Sequence, residues 1–144
     1  MEFQSMEHLK LPERHEVPPG DALEIMLQMQ KNLNQKVYPK VLKNLGAHSS
    51  SPLDVSLTFY KEELTKEYLL AIIRECCEAL DMINSKPWRD TIKPVNEVEL
   101  KYEFIDLQHF MLTLYELWGM DKFTILRYYI AKNNENRKRV QDGY

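Results

Sequence analysis

Leu23, Met26, Leu27, Gln30, Leu33 and Val37 follow one another at the three- and four-residue intervals of one helix face. Asp21 stands ahead of them with Glu24 three residues on, the pattern of a capping box. This first helix is expected to fade near Gly46, where Gly-Ala-His-Ser-Ser-Ser-Pro reads as a loop. A second helical region runs from about Leu57 to Asn84, with a break expected near Thr65. From Tyr68 to Ile83 it is apolar on most of its circumference, which predicts a central, buried helix. Pro87 ends it, and residues 85–95, with Pro87 and Pro94, form a connection. Asn96 caps a third helix, with Glu99 as its box partner, and Gly119 closes it. Asp121 opens a fourth that runs through Lys132 and beyond. Residues 1–19, ending at Pro18-Pro19, read as a flexible lead-in to one domain over 20–144. The predicted fold is all-α: an antiparallel bundle of four to five helices with short loops.

Composition narrows the class. The chain has 144 residues, 44% hydrophobic and 28% charged, which suits one compact globular domain. A formal net charge of −3 argues against a general nucleic-acid binder, which would be basic. No apolar run approaches the ~18 residues of a membrane span. The first residues carry no apolar stretch of a secretory signal. Adjacent Cys76 and Cys77 diverge by about 100° on a helix, so they are expected as reduced thiols and not as a mutual disulfide. The expected compartment is the cytoplasm, or a host's cytoplasm if the source is viral.

Charge placement changes the picture more. Glu75 and Glu78 stand at i and i+3 on the most apolar helix of the chain. Glu103 and Asp106 repeat the spacing on the third helix, with Glu99 one turn before them. Like charges so placed repel by roughly 0.2–0.5 kcal/mol per pair on an exposed helix. Partial burial makes uncompensated carboxylates far more costly. One such pair alone is an ordinary solvated face. Two pairs on successive apolar helices point to a hard cation held by carboxylate oxygens. Lys132, Asn136 and Arg139 share one face of the fourth helix: a point charge, an amide and a planar fork suited to phosphate. A basic helix end also suits the macrodipole, so it gains meaning only opposite the acidic cluster.

Together these residues resemble the all-α dimeric dUTPases of the wider MazG-like pyrophosphohydrolase group. The resemblance is carried by MLQMQKNLN at 26–34, by Glu75-Cys-Cys-Glu78 with Lys86-Pro-Trp88-Arg89 after it, and by Glu103-x-x-Asp106 with His109. It ends with Lys132, Asn136 and Arg139 followed by Gly143-Tyr144. The two acidic pairs are shared across the whole group, and the last motif narrows the match to dUTPase-type members. Val140 stands where the family usually has Gln, and Gln108 where an aromatic often precedes the His, departures that bear on base specificity.

The resemblance implies hydrolysis of a deoxynucleoside triphosphate, with dUTP the expected substrate, to the monophosphate and pyrophosphate. It implies two or three Mg²⁺ ions, replaceable by Mn²⁺, on Glu75, Glu78, Glu103 and Asp106, and assembly as a homodimer or higher oligomer. Lys132, Asn136, Arg139 and Tyr144 are then expected on the phosphates, and Gln30, Asn34 and Trp88 at the base and sugar. Glu75 is the expected base for the attacking water, and His109 an outer support. Three rivals remain: a hydrolase for dCTP or another nucleotide, a di-iron bundle, and a non-catalytic helical adaptor. Asp106-x-x-His109 has no second copy, which the di-iron bundle requires.

Overall fold

The structure, a computed structural model, describes residues 9–46, 58–86, 88, 90, 92 and 94–143. Among these are four helices and no strand: α1 (Ala22–Asn44), α2 (Thr58–Met82), α3 (Glu97–Leu117) and α4 (Lys122–Gln141). Three begin where a side-chain cap is available. The Asp21 carboxylate accepts from the Glu24 amide at 2.9 Å, and that of Asp121 from the Thr124 amide at 2.7 Å. Asn96 accepts from the amides of Val98 and Glu99 at 3.2 and 3.3 Å. The Glu24 carboxylate, expected to complete the capping box, instead receives the Lys122 ammonium at 2.6 Å and ties α1 to the start of α4. After α1 and α3 the chain turns through Gly46 and Gly119 at φ +80° and +67°, a conformation that only glycine takes cheaply.

Side-chain pairs fix the helix directions. Gln30 meets Thr113 while Tyr38, two turns later, meets Glu116, so α1 and α3 run the same way. Trp118 meets Thr65 and Glu103 meets Glu75, so α2 runs against α3. The apolar core lies where α1 and α3 end and α2 begins. Tyr38, Leu42, Leu64, Tyr68 and Leu117 are buried there, with Val41, Tyr60, Phe110 and Leu114 packed around them. The rings of Tyr38 and Tyr68 meet edge-on at 6.1 Å, and Phe110 lies 6.0 Å from Tyr68. The Trp118 indole donates to the Thr65 hydroxyl at 2.9 Å and lies under the Lys61 ammonium, closing that end.

Two expectations are corrected. No break occurs at Thr65: its hydroxyl donates to the Lys61 carbonyl at 2.6 Å, so the side chain bonds within the helix and α2 continues. Nor is α2 buried all round. One face packs along α3, while Leu69, Leu70, Ile73, Leu80 and Ile83 are exposed beside the free thiols of Cys76 and Cys77. No helix among the described residues is long and apolar enough to cross a membrane.

The core identifies its own weak point. Leu64 is fully buried, at the meeting of α1, α2 and α3. Leu64→Ala is expected to lower unfolding stability by about 2–5 kcal/mol, measured by urea titration. Leu69→Ala on the exposed face should cost under about 1 kcal/mol in the isolated chain.

Candidate active site

Antiparallel packing of α2 on α3 brings their acidic pairs face to face, because residues three apart share a helix face. One carboxylate oxygen each from Glu75, Glu103 and Asp106 lies within 4.8 Å of the others. Glu103 is 3% exposed, and Glu75 and Asp106 are half-buried. Glu78, also half-buried, acts on Glu75 and Glu103 through its charge but offers no oxygen to that tight set. Burial first, then the charges of Glu75, Glu78 and Asp106, push the Glu103 carboxyl from its ordinary 4.5 up to about 7. Below about pH 7 it holds a proton, which it donates to Glu75. Burial also raises Glu75 and Asp106, while Arg74 draws Glu75 partly back and His109 does the same for Asp106.

The remaining oxygen of Glu103, Oε2, is buried and has no hydrogen-bond partner. An orphaned carboxylate oxygen is expensive to keep, and a cation among the three carboxylates removes the expense. The donors are all oxygens and the thiols of Cys76 and Cys77 are exposed, a set that suits a hard divalent ion. The residues present therefore fit a Mg²⁺-type ion.

A buried polar network follows directly along α3. Gln30 and Asn34 are 5% and 2% exposed, although both are amides on α1. Gln30 Nε2 donates to Thr113 Oγ1 at 2.8 Å and to Asn34 Oδ1 at 2.9 Å, and its Oε1 lies 2.7 Å from His109 Nδ1. Asn34 Nδ2 donates to the Tyr38 hydroxyl at 3.0 Å and to the Glu116 carboxylate at 3.2 Å. The Tyr38 hydroxyl donates to the same Glu116 oxygen at 2.6 Å, and burial, then Glu116, holds that phenol well above its usual range. His109 lies one turn beyond Asp106, so the network abuts the carboxylates. Six residues, about 9 Å of helix, separate Glu103 from His109.

The structure thus brings Glu75, Glu103 and Asp106 together, with Glu78 beside them and Gln30 and Asn34 next along α3. It turns the two amides inward and occupies them. Trp88 stands 76% exposed on the connection after α2. Lys132, Asn136 and Arg139 do not meet the carboxylates. α4 rests mainly on α1, and every residue from 126 to 143 is exposed, with Arg139 donating to Glu135 at 3.1 Å. Tyr144 lies outside the described residues. Sequence reasoning missed Tyr38, Thr113 and Glu116. The signal was there for two of them: Thr113 and Glu116 continue the polar stripe of Glu103, Asp106 and His109 at near-helical spacing.

The raised Glu103 carboxyl sets a pH dependence. Without metal, the folded chain holds a proton that the unfolded chain releases between pH 4.5 and about 7. Its stability therefore falls as pH rises through that window, on the order of 1–3 kcal/mol. Thermal melts in chelator should show this slope flattened in Glu103→Gln, with the variant the more stable of the two near pH 8. Identical slopes would mean that Glu103 ionises freely.

A family model described as dUTPase matches residues 22–115, a span that contains the four carboxylates, Gln30, Asn34 and Trp88. A dCTP pyrophosphatase of Enterobacteria phage T4 is 34% identical over 55 residues, covering 38% of this chain and 32% of that protein. A dCTP pyrophosphatase of Enterobacteria phage LZ5 is 26% identical over 145 residues, covering 86% of this chain and 83% of that one. No solved structure matches.

Proposed function

We propose that this chain, which belongs to the dUTPase family and is a nucleoside triphosphate pyrophosphohydrolase, splits a pyrimidine deoxynucleoside triphosphate between the α- and β-phosphates with a divalent cation. The carrying observation is the buried, orphaned Glu103 oxygen within reach of Glu75 and Asp106. Glu75, Glu103 and Asp106 would hold the cation, with Glu78 completing the charge around it. When bound, the ion supplies Lewis-acid polarisation of the phosphates and neutralises charge that develops on them. Glu75, half-buried and raised in pKa, takes the proton of the attacking water. Pyrophosphate leaves, and the nucleoside monophosphate remains.

Gln30 and Asn34, buried and bonded to Thr113 and His109, shape the base and sugar pocket from behind, and Trp88, exposed on the connection after α2, would close over the substrate. Lys132, Asn136, Arg139 and Tyr144 hold the phosphates. The family makes dUTP the first substrate to expect. The names of the two phage relatives favour dCTP as the second reading.

A second copy of the chain completes the assembly. Leu69, Ile73, Cys76, Leu80 and Ile83 recur at alternating intervals of four and three, the seam of a helix pair, and all five are exposed. We assign this face to a homodimer.

Pyrophosphate release with Mg²⁺ across the common dNTPs tests the activity. Turnover should vanish in excess EDTA and return with Mg²⁺ or Mn²⁺. The better pyrimidine substrate should exceed dATP and dGTP by at least about tenfold, the order that 1–3 kcal/mol of pocket contacts supplies. Undiminished activity in EDTA would overturn the metal role, and equal purine rates the pyrimidine assignment. For the assembly, light scattering should give a dimer for the wild type and a monomer for Ile73→Glu with Leu80→Glu.

A further inference from the structure

We propose that a second pocket, at the end of α3 remote from the carboxylates, binds a pyrimidine deoxynucleoside monophosphate and slows turnover when filled. The choice of ligand, the product of the reaction, rests on the pyrophosphohydrolase reading above.

A cavity of about 310 Å³ lies between α1 and the turn from α3 into α4. That volume is at the small end of the range that holds a ligand. Leu27 and Met120, both half-buried, and Phe123, 65% exposed, give it apolar walls. Glu116 lines it as well. Both hydrogen bonds that this carboxylate accepts end on Oε2, so Oε1 is left to the pocket. The chain does not satisfy every polar group around Glu116. The Tyr68 hydroxyl, which burial and then the Glu116 charge hold above its usual range, is buried without a hydrogen-bond partner.

The charges of the lining are unequally committed. Glu24 is neutralised by Lys122, which also lies over the Phe123 ring, and Asp121 is turned onto the Thr124 amide. Lys31, exposed at the edge, pairs with no carboxylate among the described residues. What remains is an acceptor, an aromatic face and one free ammonium. A carboxylate oxygen accepts and cannot donate, so the group it meets carries N–H. Cytosine supplies an exocyclic amine and uracil a ring imide, each on a flat ring that stacks on an aromatic side chain. The phosphate of the same molecule is then matched to Lys31. Of the molecules the reaction handles, the monophosphate product carries all three features in the smallest body.

Glu116 also ties the pocket to the carboxylates, which it does not touch. Ten residues of α3, about 15 Å, separate it from Asp106. Asn34 and Tyr38 donate to Glu116, Gln30 donates to Asn34, and His109 meets Gln30 one turn from Asp106. A donor arriving at Oε1 draws the carboxylate toward the pocket and loosens this ladder at its anchor. Occupancy therefore slows turnover from a distance.

Calorimetry and inhibition kinetics test the pocket. In EDTA the wild-type chain should bind dCMP or dUMP at a single site per chain. Phe123→Ala and Lys31→Ala, both at exposed positions, should each weaken that binding about tenfold, the order of a lost base stack or phosphate contact. Circular dichroism confirms that both are folded, and both should keep wild-type turnover in the absence of product. Added product should lower kcat of the wild type, a loss that excess substrate does not relieve. In the two variants product should act by competition alone and raise KM. No monophosphate bound in EDTA, binding that both variants leave intact, or wild-type inhibition fully relieved by substrate would each overturn the proposal. A wild type inactive on every dNTP would instead overturn the activity reading, and binding in EDTA would still decide the pocket.

Discussion

Burial of Glu103 between Glu75 and Asp106 is the constraint around which this bundle is arranged. Three carboxylates whose oxygens lie within 4.8 Å of one another cannot all be charged and dry. The chain answers in part by raising the Glu103 carboxyl to about 7, so that below that pH it holds a proton and donates it to Glu75. That leaves Oε2 buried without a hydrogen-bond partner, a cost that a cation among the carboxylates would remove. Antiparallel packing of α2 and α3 makes this crowding of charge unavoidable, because it sets two i, i+3 acidic pairs against each other at one height.

The same two helices carry the apolar core at their opposite end, and this division explains how the fold tolerates the site. Leu64, Tyr68 and Leu117 fix α2 against α3 near Trp118, roughly two to four turns from Glu75 and Glu103. Packing there holds the helices in place whether or not the carboxylates repel. α1 reinforces the arrangement from the side, reaching α3 through the Gln30–Asn34–Tyr38 ladder between the two regions. That ladder is polar, buried and bonded nearly throughout, which gives it a single geometry that an apolar contact would not specify.

Much of this was legible in the residues. Asp21, Asn96 and Asp121 cap as their types dictate, and the acidic pairs meet because three-residue spacing survives any helix packing. What the pattern could not reveal was what covers an apolar face. The stretch from Tyr68 to Ile83 reads as a buried helix because periodicity reports circumference, not partner, and half of that circumference is bare in one chain. The inward turn of Gln30 and Asn34 was hidden for a related reason. An amide at a helical position reads the same whether it faces solvent, a ligand or a threonine such as Thr113 on another helix. Glu24 shows the limit of local motifs, since Lys122, far away in sequence, outcompetes the capping-box geometry for its carboxylate.

The hydrogen-bond directions in the ladder carry the argument one step closer to the chemistry. Glu116 accepts from both Asn34 and Tyr38, which turns the Asn34 amide nitrogen toward it and the Asn34 oxygen toward Gln30 and Thr113. The Gln30 nitrogen is then committed to that oxygen and to Thr113, so the Gln30 oxygen must face His109. An oxygen acceptor at 2.7 Å requires that His109 Nδ1 carry a proton. Nε2 is then the ring's other nitrogen, one turn of α3 from Asp106, and His109 draws the Asp106 carboxyl partly back down. A carboxylate at one end of α3, Glu116, thus fixes the orientation of an imidazole that tunes another carboxylate at the cation site, through side chains that need not touch the substrate at all.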